Sequence, residues 1–119
     1  PWRIWGGYSN IWIIKPVGLS CGEAITVSQG LSSVLNHMKS MNYKCIVQKY
    51  IERPLLVRKS KKFDIRQWVL LTRVNPLIIY GFSECYLRLS STDFNLSPEQ
   101  LCNPVMHLCN YAVQKTSIS

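Results

Sequence analysis

The chain has 119 residues, about the size of one ordinary domain, and 47% of them are hydrophobic, which is enough to form a real core. Lys and Arg outnumber Asp and Glu by 14 to 6, which gives a formal net charge of +8. The positive electrostatic field of such a chain favours polyanionic partners. The charge alone does not choose among nucleotides, nucleic acid and acidic protein surfaces. The apolar runs are short and none approaches the roughly 20 residues that span a bilayer, so we expect no membrane segment.

The five cysteines are scattered and odd in number, and most of them lie in apolar runs. This pattern favours reduced thiols over a secreted disulfide framework, and we expect a cytoplasmic protein. Cys102, His107 and Cys109 are close in sequence, but without a paired CxxC or HxxxH motif they do not predict a metal site. The chain begins at Pro1 without an initiator Met, and we interpret it as a piece of a longer protein.

The first predicted elements are a strand, a loop and a helix. The apolar run at residues 11–14 predicts a buried strand with Lys15 at its exit, because Pro16 cannot continue a ladder. The small residues of a loop at 17–24 allow its backbone to approach a ligand closely. Helical spacing of apolar residues then predicts an amphipathic helix over residues 31–41, with Ser28 as its cap.

The second half of the chain predicts mainly strands. Residues 45–51 are rich in β-formers and predict a strand that packs against the helix. A basic segment at 58–62, expected to be a loop, precedes a strand over 63–71 that has one charged face at its start. After a turn at Asn75-Pro76 we expect strands or a hairpin around residues 81–84, and a short helix that starts at Ser97 and Pro98. The expected fold class is therefore α+β, mainly an antiparallel sheet with one or two packed helices, and no second domain is indicated.

Several of these placements favour a phosphate-binding site. Lys15 and Lys49 could neutralise phosphate oxygens, and amides of the glycine-containing loop could bind the remainder. Asp64 could accept hydrogen bonds from ribose hydroxyls. Each motif alone is weak, because a glycine turn is usually only a turn, and Lys62, Asp64 and Arg66 could form a solvated face that pairs with itself.

Four ordered blocks carry a family resemblance: NIWIIKP at residues 10–16, VQKYIERPLL at 47–56, KFDIRQW at 62–68 and HLCN at 107–110. In order and spacing they resemble the tubulin tyrosine ligase-like enzymes, and the resemblance covers residues 10–115. The forms RQW at 66–68, NPL at 75–77 and HLCN are more similar to the glycylase branch than to the glutamylases.

The resemblance implies a partial ATP-grasp fold in which residues 1–119 are the central part of the domain, incomplete at both ends. It implies an ATP-dependent ligase that adds glycine to glutamate side chains of tubulin tails through an acyl-phosphate intermediate, with ATP and Mg²⁺ as cofactors and glycine as co-substrate. The implied partners are acidic tubulin tails and microtubules, without nucleic acid, and the implied location is the cytoskeleton of a cilium or flagellum axoneme. The charge fits such a substrate, and basic residues would contribute to docking: Arg58, Lys59, Lys61 and Lys62.

The same resemblance assigns site residues. Lys15 and Lys49 would contact ATP phosphates, and residues 48–51 would line the adenine. Arg66 and Arg88 are the expected catalytic residues, facing the terminal phosphate or the carboxylate being activated, where a planar bidentate cation is most useful. Lys62 and Asp64 would hold the ribose side, and Asn110 with Cys109 would complete the site. The full expected ATP-binding set is Lys15, Cys21, Gly22, Glu23, Ala24, Ile25, Gln48, Lys49, Tyr50, Ile51, Lys62, Asp64, Cys109 and Asn110.

Two departures from the family pattern bear on activity. The family loop usually reads Ser-Arg-Gly-x-Gly-Ile, whereas residues 20–25 read Ser-Cys-Gly-Glu-Ala-Ile, and Glu23 would repel a triphosphate unless it points away or helps to hold Mg²⁺. The family's Mg²⁺ ligands lie downstream of the HLCN block, beyond Ser119, so we expect these residues alone to be inactive. A glutamylase, or a non-catalytic basic module that binds microtubules or nucleic acid, stays open as an alternative.

Overall fold

The computed structural model describes residues 7–117, which form two antiparallel sheets and a few short helices. The strands are β1 Ile11–Pro16, β2 Thr26–Gln29, β3 Cys45–Lys49, β4 Phe63–Arg73 and β5 Ile78–Leu89. The helices are α1 Leu31–Ser40, α2 Pro104–His107 and α3 Tyr111–Gln114, followed by a 3-10 turn at Lys115–Ser117. The expected α+β class with mainly antiparallel sheets is confirmed.

Strand β1 is the centre of a three-stranded sheet with the order β2-β1-β3. Ile13 lies opposite Val27 of β2, and both belong with Ile11 to the face of the sheet that forms the core. Tyr50 and Leu101 are buried against this face. The core therefore combines the sheet with the segment that follows the hairpin, about fifty residues later in the chain.

Helix α1 covers the opposite face of the same sheet. Its Val34 is buried, and Thr26 Oγ1 lies 2.8 Å from His37 Nε2. The prediction that Ser28 caps the helix was wrong. Gly30 occupies the cap position with a φ of 80°, and no side chain caps this end of the helix. Ser28 instead lies in β2, a strand that we did not predict because its four residues are too few to show an alternating pattern.

Strand β1 continues two residues further than predicted, through Pro16, which pairs with Cys45. Pairing with β2 ends at Ile14, so the proline has a neighbouring strand on one side only and its missing N–H leaves no gap in the sheet. Lys15 therefore lies within the strand. The strand β3 ends at Lys49, two residues before the predicted end.

Strands β4 and β5 form one long hairpin whose turn lies at residues 74–77 and contains the cis Asn75-Pro76 peptide. The predicted turn at Asn75-Pro76 is confirmed. Around residues 81–84 the expected strand is confirmed, but the alternative of a hairpin there was wrong, because Gly81 pairs with Val69 inside β5. The pairing register shifts between Gln67 and Val69, as at a β-bulge, and both strands continue past this point. Large apolar side chains near the turn are more than half exposed: Trp68, Val69, Leu70, Leu71, Ile79, Tyr80 and Phe82.

The helix expected at Ser97 and Pro98 was also wrong. Residues 98–102 form turns, and α2 begins at Pro104. Asn103 Oδ1 accepts a hydrogen bond from the amide of Val105, 3.2 Å away, and so caps this helix. Pro104 starts the helix because the first-turn N–H that it lacks would have no intrahelical partner in any case. Across residues 7–117, none of the helices combines the length and hydropathy needed to cross a bilayer.

Glu52 is a buried carboxylate that fixes the beginning of β1. Its Oε2 accepts from the amide of Ser9 at 2.8 Å, and its Oε1 accepts from the amide of Ile11 at 3.0 Å and from the ammonium of Lys49. Burial acts to raise the pKa of Glu52, but the hydrogen bonds from Lys49 and the two amides outweigh it, and the pKa lies below its usual value. The folded chain therefore stabilises this charged carboxylate.

We expect Gly7→Ala to destabilise the fold through this carboxylate. Gly7 has a φ of 64°, and a Cβ there would overlap the Glu52 side chain. Gly18→Ala is the matched control, because Gly18 has a φ of 90° and no heavy atom within 4 Å of an added Cβ. Backbone strain alone lowers the free energy of unfolding by about 1 kcal/mol, and the overlap should add roughly 1–3 kcal/mol at Gly7. Urea unfolding measures both variants, and equal losses would contradict the contact.

Candidate functional site

His107 joins the three-stranded sheet to the hairpin. The hydroxyl of Tyr50, just after β3, lies 2.7 Å from His107 Nδ1, and the two rings meet edge to face with centroids 5.2 Å apart. The carbonyl of His107 accepts a hydrogen bond of 2.7 Å from the ammonium of Lys62, just before β4. His107 is only 2% exposed. One buried residue thus fixes the end of β3 against the start of β4.

A charged pair lies on the hairpin beside this junction. Arg88 Nε and Nη2 donate to the two oxygens of Asp64 at 2.6 and 2.8 Å, and the two residues are directly opposite in the β4–β5 register. This hydrogen bonding raises the pKa of Arg88. Each Asp64 oxygen retains a lone pair, so the carboxylate can still accept from a ligand hydroxyl.

Cys109, in the HLCN block, belongs to the same cluster. Its thiol donates to the carbonyl of Lys62 at 3.6 Å, and burial raises its pKa, as does the nearby charge of Asp64. The structure therefore brings together four predicted site residues from three separate blocks, Tyr50, Lys62, Asp64 and Cys109, with Arg88 of β5 as a fifth.

Arg66 lies on the same hairpin face as Asp64, two residues further along β4 and opposite Tyr86. Its guanidinium stacks over the ring of Trp68, with a distance of 4.4 Å to the ring centroid. Stacking occupies the face of the guanidinium and leaves the N–H donors at its edge available to an anion.

The two predicted phosphate lysines lie on opposite faces of the sheet. Lys15 donates to Gln48 Oε1 at 2.7 Å on the face that carries Ile13. Lys49 lies directly across from Trp12, where its ammonium contacts the carboxylate of Glu52 and donates to the carbonyl of Ile11 at 3.1 Å. To bind a phosphate on the Lys15 face, Lys49 would have to leave Glu52. The expected convergence of Lys15 and Lys49 is thus not seen in this arrangement, and their roles in ATP binding stay predictions.

The predicted phosphate loop is a tight turn with a left-handed backbone at several positions. Cys21, Gly22 and Ala24 have φ values of 58°, 88° and 53°, and the amide of Glu23 donates to the carbonyl of Ser20 at 3.0 Å. Left-handed conformations cost non-glycine residues about 1 kcal/mol or more each, and such strain is concentrated at functional sites. Successive amides in turns of this kind form concave sites for anions. Glu23 is exposed.

The loop contacts the HLCN block directly. A Cβ added at Gly22 would lie 3.3 Å from Asn110 Oδ1 and 3.1 Å from a methyl group of Val113. Gly22 and Asn110, both predicted to bind ATP, are therefore neighbours. Ile51, predicted to line the adenine, is more than half exposed.

A cavity of about 550 Å³ lies beside this cluster, between β2, α1 and residues 101–108, and His107 is one of the residues that line it. Ile25 is the member of the predicted ATP-binding set that lines it, whereas Tyr50, Lys62, Asp64 and Cys109 do not, so the cavity meets the cluster at His107. Within the part of the chain that the structure describes, no three His, Cys, Asp or Glu side chains group as metal ligands. These residues therefore do not fit a Mg²⁺ site by themselves, and no step through the metal is assigned to them.

Two buried polar residues have structural roles that sequence reasoning missed. Glu52 belongs to the second block, and its ion pair with Lys49 depends on the turn of the chain after β3, which the sequence did not indicate. Gln114 donates to the carbonyls of Val105 and Leu108, both at 2.6 Å, and accepts from the amide of Ser91 at 2.7 Å. No motif in the local sequence indicates that role, because the partners of Gln114 lie 6, 9 and 23 residues away.

The buried His107 should make the fold sensitive to acid. Burial, together with the charge of Lys62, lowers the pKa of His107 to about 4, against a usual value of 6.5. Between these values the unfolded chain binds a proton that the folded chain does not, so stability falls as the pH drops from about 6.5 to 4. We expect the urea midpoint of the wild type to fall across this window.

His107→Gln supplies the comparison, because an amide can still bond to Tyr50 but does not titrate. Its urea midpoint should change less with pH than that of the wild type, while it is lower at pH 7 because the packing is altered. Parallel pH profiles for the two proteins would contradict the assignment.

Comparison with known proteins agrees with the family resemblance of these blocks. Residues 3–119 match the model of the tubulin-tyrosine ligase family. The chain is 50% identical to tubulin glycylase 3D of Tetrahymena thermophila over 109 residues, 46% identical to human protein monoglycylase TTLL8 over 114 residues, and 42% identical to tubulin glycylase 3A of Drosophila melanogaster over 112 residues. Each match covers 92% of this chain and between 10% and 13% of the relative, so the chain spans about a tenth of the length of these proteins. With almost its whole length matched by the family model, the chain belongs to the tubulin-tyrosine ligase family.

Proposed function

We propose that the protein carrying this chain is an ATP-dependent ligase that adds glycine to glutamate side chains of tubulin tails. The relatives are named as glycylases, and two of the three named above are tubulin glycylases. The observation that carries the proposal is the convergence of separate family blocks. Tyr50 and Lys62 bond to His107, Cys109 bonds to the carbonyl of Lys62, and Gly22 lies against Asn110.

ATP supplies the phosphoryl group in the proposed reaction. The glutamate carboxylate oxygen of the acceptor attacks the terminal phosphorus, the bond to the bridging oxygen breaks, and an acyl phosphate and ADP result. The amine of glycine then attacks the acyl carbon, phosphate leaves, the amine loses a proton, and an isopeptide bond results. Activation is needed because a carboxylate is a poor electrophile, whereas phosphate is a good leaving group.

The residues of this chain would bind and orient the reactants. Lys15 and the strained loop at 20–25 provide a cation and amide donors for phosphates, and Asp64 retains acceptor capacity for ribose hydroxyls. Arg66 offers free guanidinium edges to the terminal phosphate or the carboxylate, and Arg88 stays charged beside Asp64. The Mg²⁺ expected for this chemistry would be held by residues outside those described.

The proposed partners and location follow from the acceptor. An excess of basic residues, with a net charge of +8, suits acidic tubulin tails and the microtubule surface. We place the protein at the cytoskeleton, in the axoneme of a cilium or flagellum.

The amino-acid donor is tested with the full-length protein, tubulin, ATP and either labelled glycine or labelled glutamate. We expect ATP-dependent incorporation of glycine. Incorporation of glutamate alone would replace the proposal with a glutamylase. Loss of all transfer, together with no rise in melting temperature when ATP is added, would favour a non-catalytic binding module.

We expect Gly22→Ala to weaken ATP binding by displacing the loop from Asn110. The added methyl group meets Asn110 and Val113 at 3.1–3.3 Å, at a φ of 88°. Gly18→Ala, with a similar φ of 90° and open space around it, introduces backbone strain without the contact. Titration with ATP should give a Kd about tenfold higher for Gly22→Ala and within about twofold for Gly18→Ala. Unchanged affinity in Gly22→Ala would remove the loop from the ATP site.

A further inference from the structure

Arg58 and Lys59 lie at the tip of a short loop immediately before β4. Reciprocal backbone hydrogen bonds close the loop, from Val57 N to Lys61 O at 2.9 Å and from Lys61 N to Val57 O at 2.8 Å. We call residues 58–60 the basic loop. Two residues, Lys61 and Lys62, separate it from β4, the strand that carries Asp64 and Arg66.

The base of the basic loop is fixed to the chain that follows β5. The carbonyl of Ser60 accepts from the amide of Phe94 at 2.9 Å. The ammonium of Lys61 donates to the carbonyl of Ser91 at 2.8 Å and pairs with the carboxylate of Asp93 at 2.8 Å. These bonds hold the loop in one conformation, so little ordering entropy remains to be lost when a ligand binds.

The structure divides the four basic residues that were expected to dock an acidic tail. Lys61 is paired with Asp93, and Lys62 donates to the carbonyl of His107. Arg58 and Lys59 are exposed, and neither side chain has a hydrogen-bond or ion-pair partner among residues 7–117. Two adjacent cations therefore remain available on a rigid support.

The backbone at these two residues is strained. Arg58 and Lys59 have φ values of 48° and 76°, in the left-handed region where long side chains are uncommon and Asn or Gly is usual. Asn-Gly would fit this backbone with less strain, yet the chain has Arg-Lys. Strained residues of this kind are typical of ligand contacts.

We propose that the basic loop docks an acidic peptide with consecutive carboxylates, through Arg58 and Lys59, and directs it toward the Asp64 and Arg88 side of the hairpin. The inference rests on the proposed function, in which such a peptide is the acceptor. The hydrogen bond from Ser90 N to Lys62 O, 2.8 Å long, keeps the base of the loop beside the end of β5, two residues from Arg88. A nucleic acid would need a longer track of phosphate contacts than two cations provide.

The test removes both charges and keeps the backbone, using the double variant R58N/K59G in the full-length protein. The probe is a fluorescein-labelled hexaglutamate peptide followed by fluorescence anisotropy at low ionic strength. We expect the Kd to rise about fivefold or more, because two exposed ion pairs are lost, and the difference to shrink in high salt. The melting temperature should stay equal or rise, because Asn and Gly relax the loop.

The double variant K39Q/K44Q is the matched control, since it removes two exposed positive charges at other positions. Its Kd for the peptide should stay within about twofold of the wild type. Equal weakening in both double variants would reduce the effect to net charge and overturn the docking site. Unchanged peptide affinity in R58N/K59G would overturn it too, as would loss of affinity for a single-stranded oligonucleotide without loss for the peptide.

ATP-induced thermal shifts of the same samples separate this inference from the proposed function. R58N/K59G should retain the wild-type shift, because neither residue belongs to the predicted ATP site. No shift in the wild type would refute ATP binding while the anisotropy result still decides the docking site.

Discussion

The predicted nucleotide site depends on the buried junction at His107. Its ring contacts Tyr50 after β3, and its carbonyl binds Lys62 before β4, so the two sheets meet at one residue. Separating them would leave buried polar groups without partners, and such groups are expensive to leave unpaired in a low dielectric. The family's motif blocks are distant in sequence, and this junction is what brings three of them to one place. The family has an ATP-grasp-like fold. In this chain the junction lies between the three-stranded sheet and the β4–β5 hairpin.

Electrostatic interactions inside the fold decide which of the many cations remain available to a ligand. Lys49 compensates the buried Glu52, Lys61 pairs with Asp93, and Lys62 binds a carbonyl. The net charge of +8 therefore overstates the positive charge at any one site. Among residues 7–117, Arg58 and Arg66 have no acidic partner, and the proposals about phosphate and carboxylate binding rest largely on them.

Backbone strain is found at two places where ligands are proposed. Non-glycine residues adopt a left-handed backbone at Cys21 and Ala24 in the phosphate loop and at Arg58 and Lys59 in the basic loop. Both segments are restrained, the first by contact of Gly22 with Asn110 and the second by bonds to residues 91–94. Restraint by the surrounding fold is the condition under which such conformations persist.

The sequence by itself determined the α+β class, helix α1, strands β1, β3 and β4 and the family, because the spacing of apolar residues and the order of the motifs can be read directly along the chain. It did not determine β2, the uninterrupted β5 or the start of α2 at Pro104, since each depends on partners far away in sequence. It also placed Lys15 and Lys49 in one site, whereas the pairing of Trp12 with Lys49 and of Ile13 with Gln48 puts the two ammonium groups on opposite faces. Side chains alternate along a strand, so only the register between strands decides which face each residue occupies, and register is set by tertiary contacts.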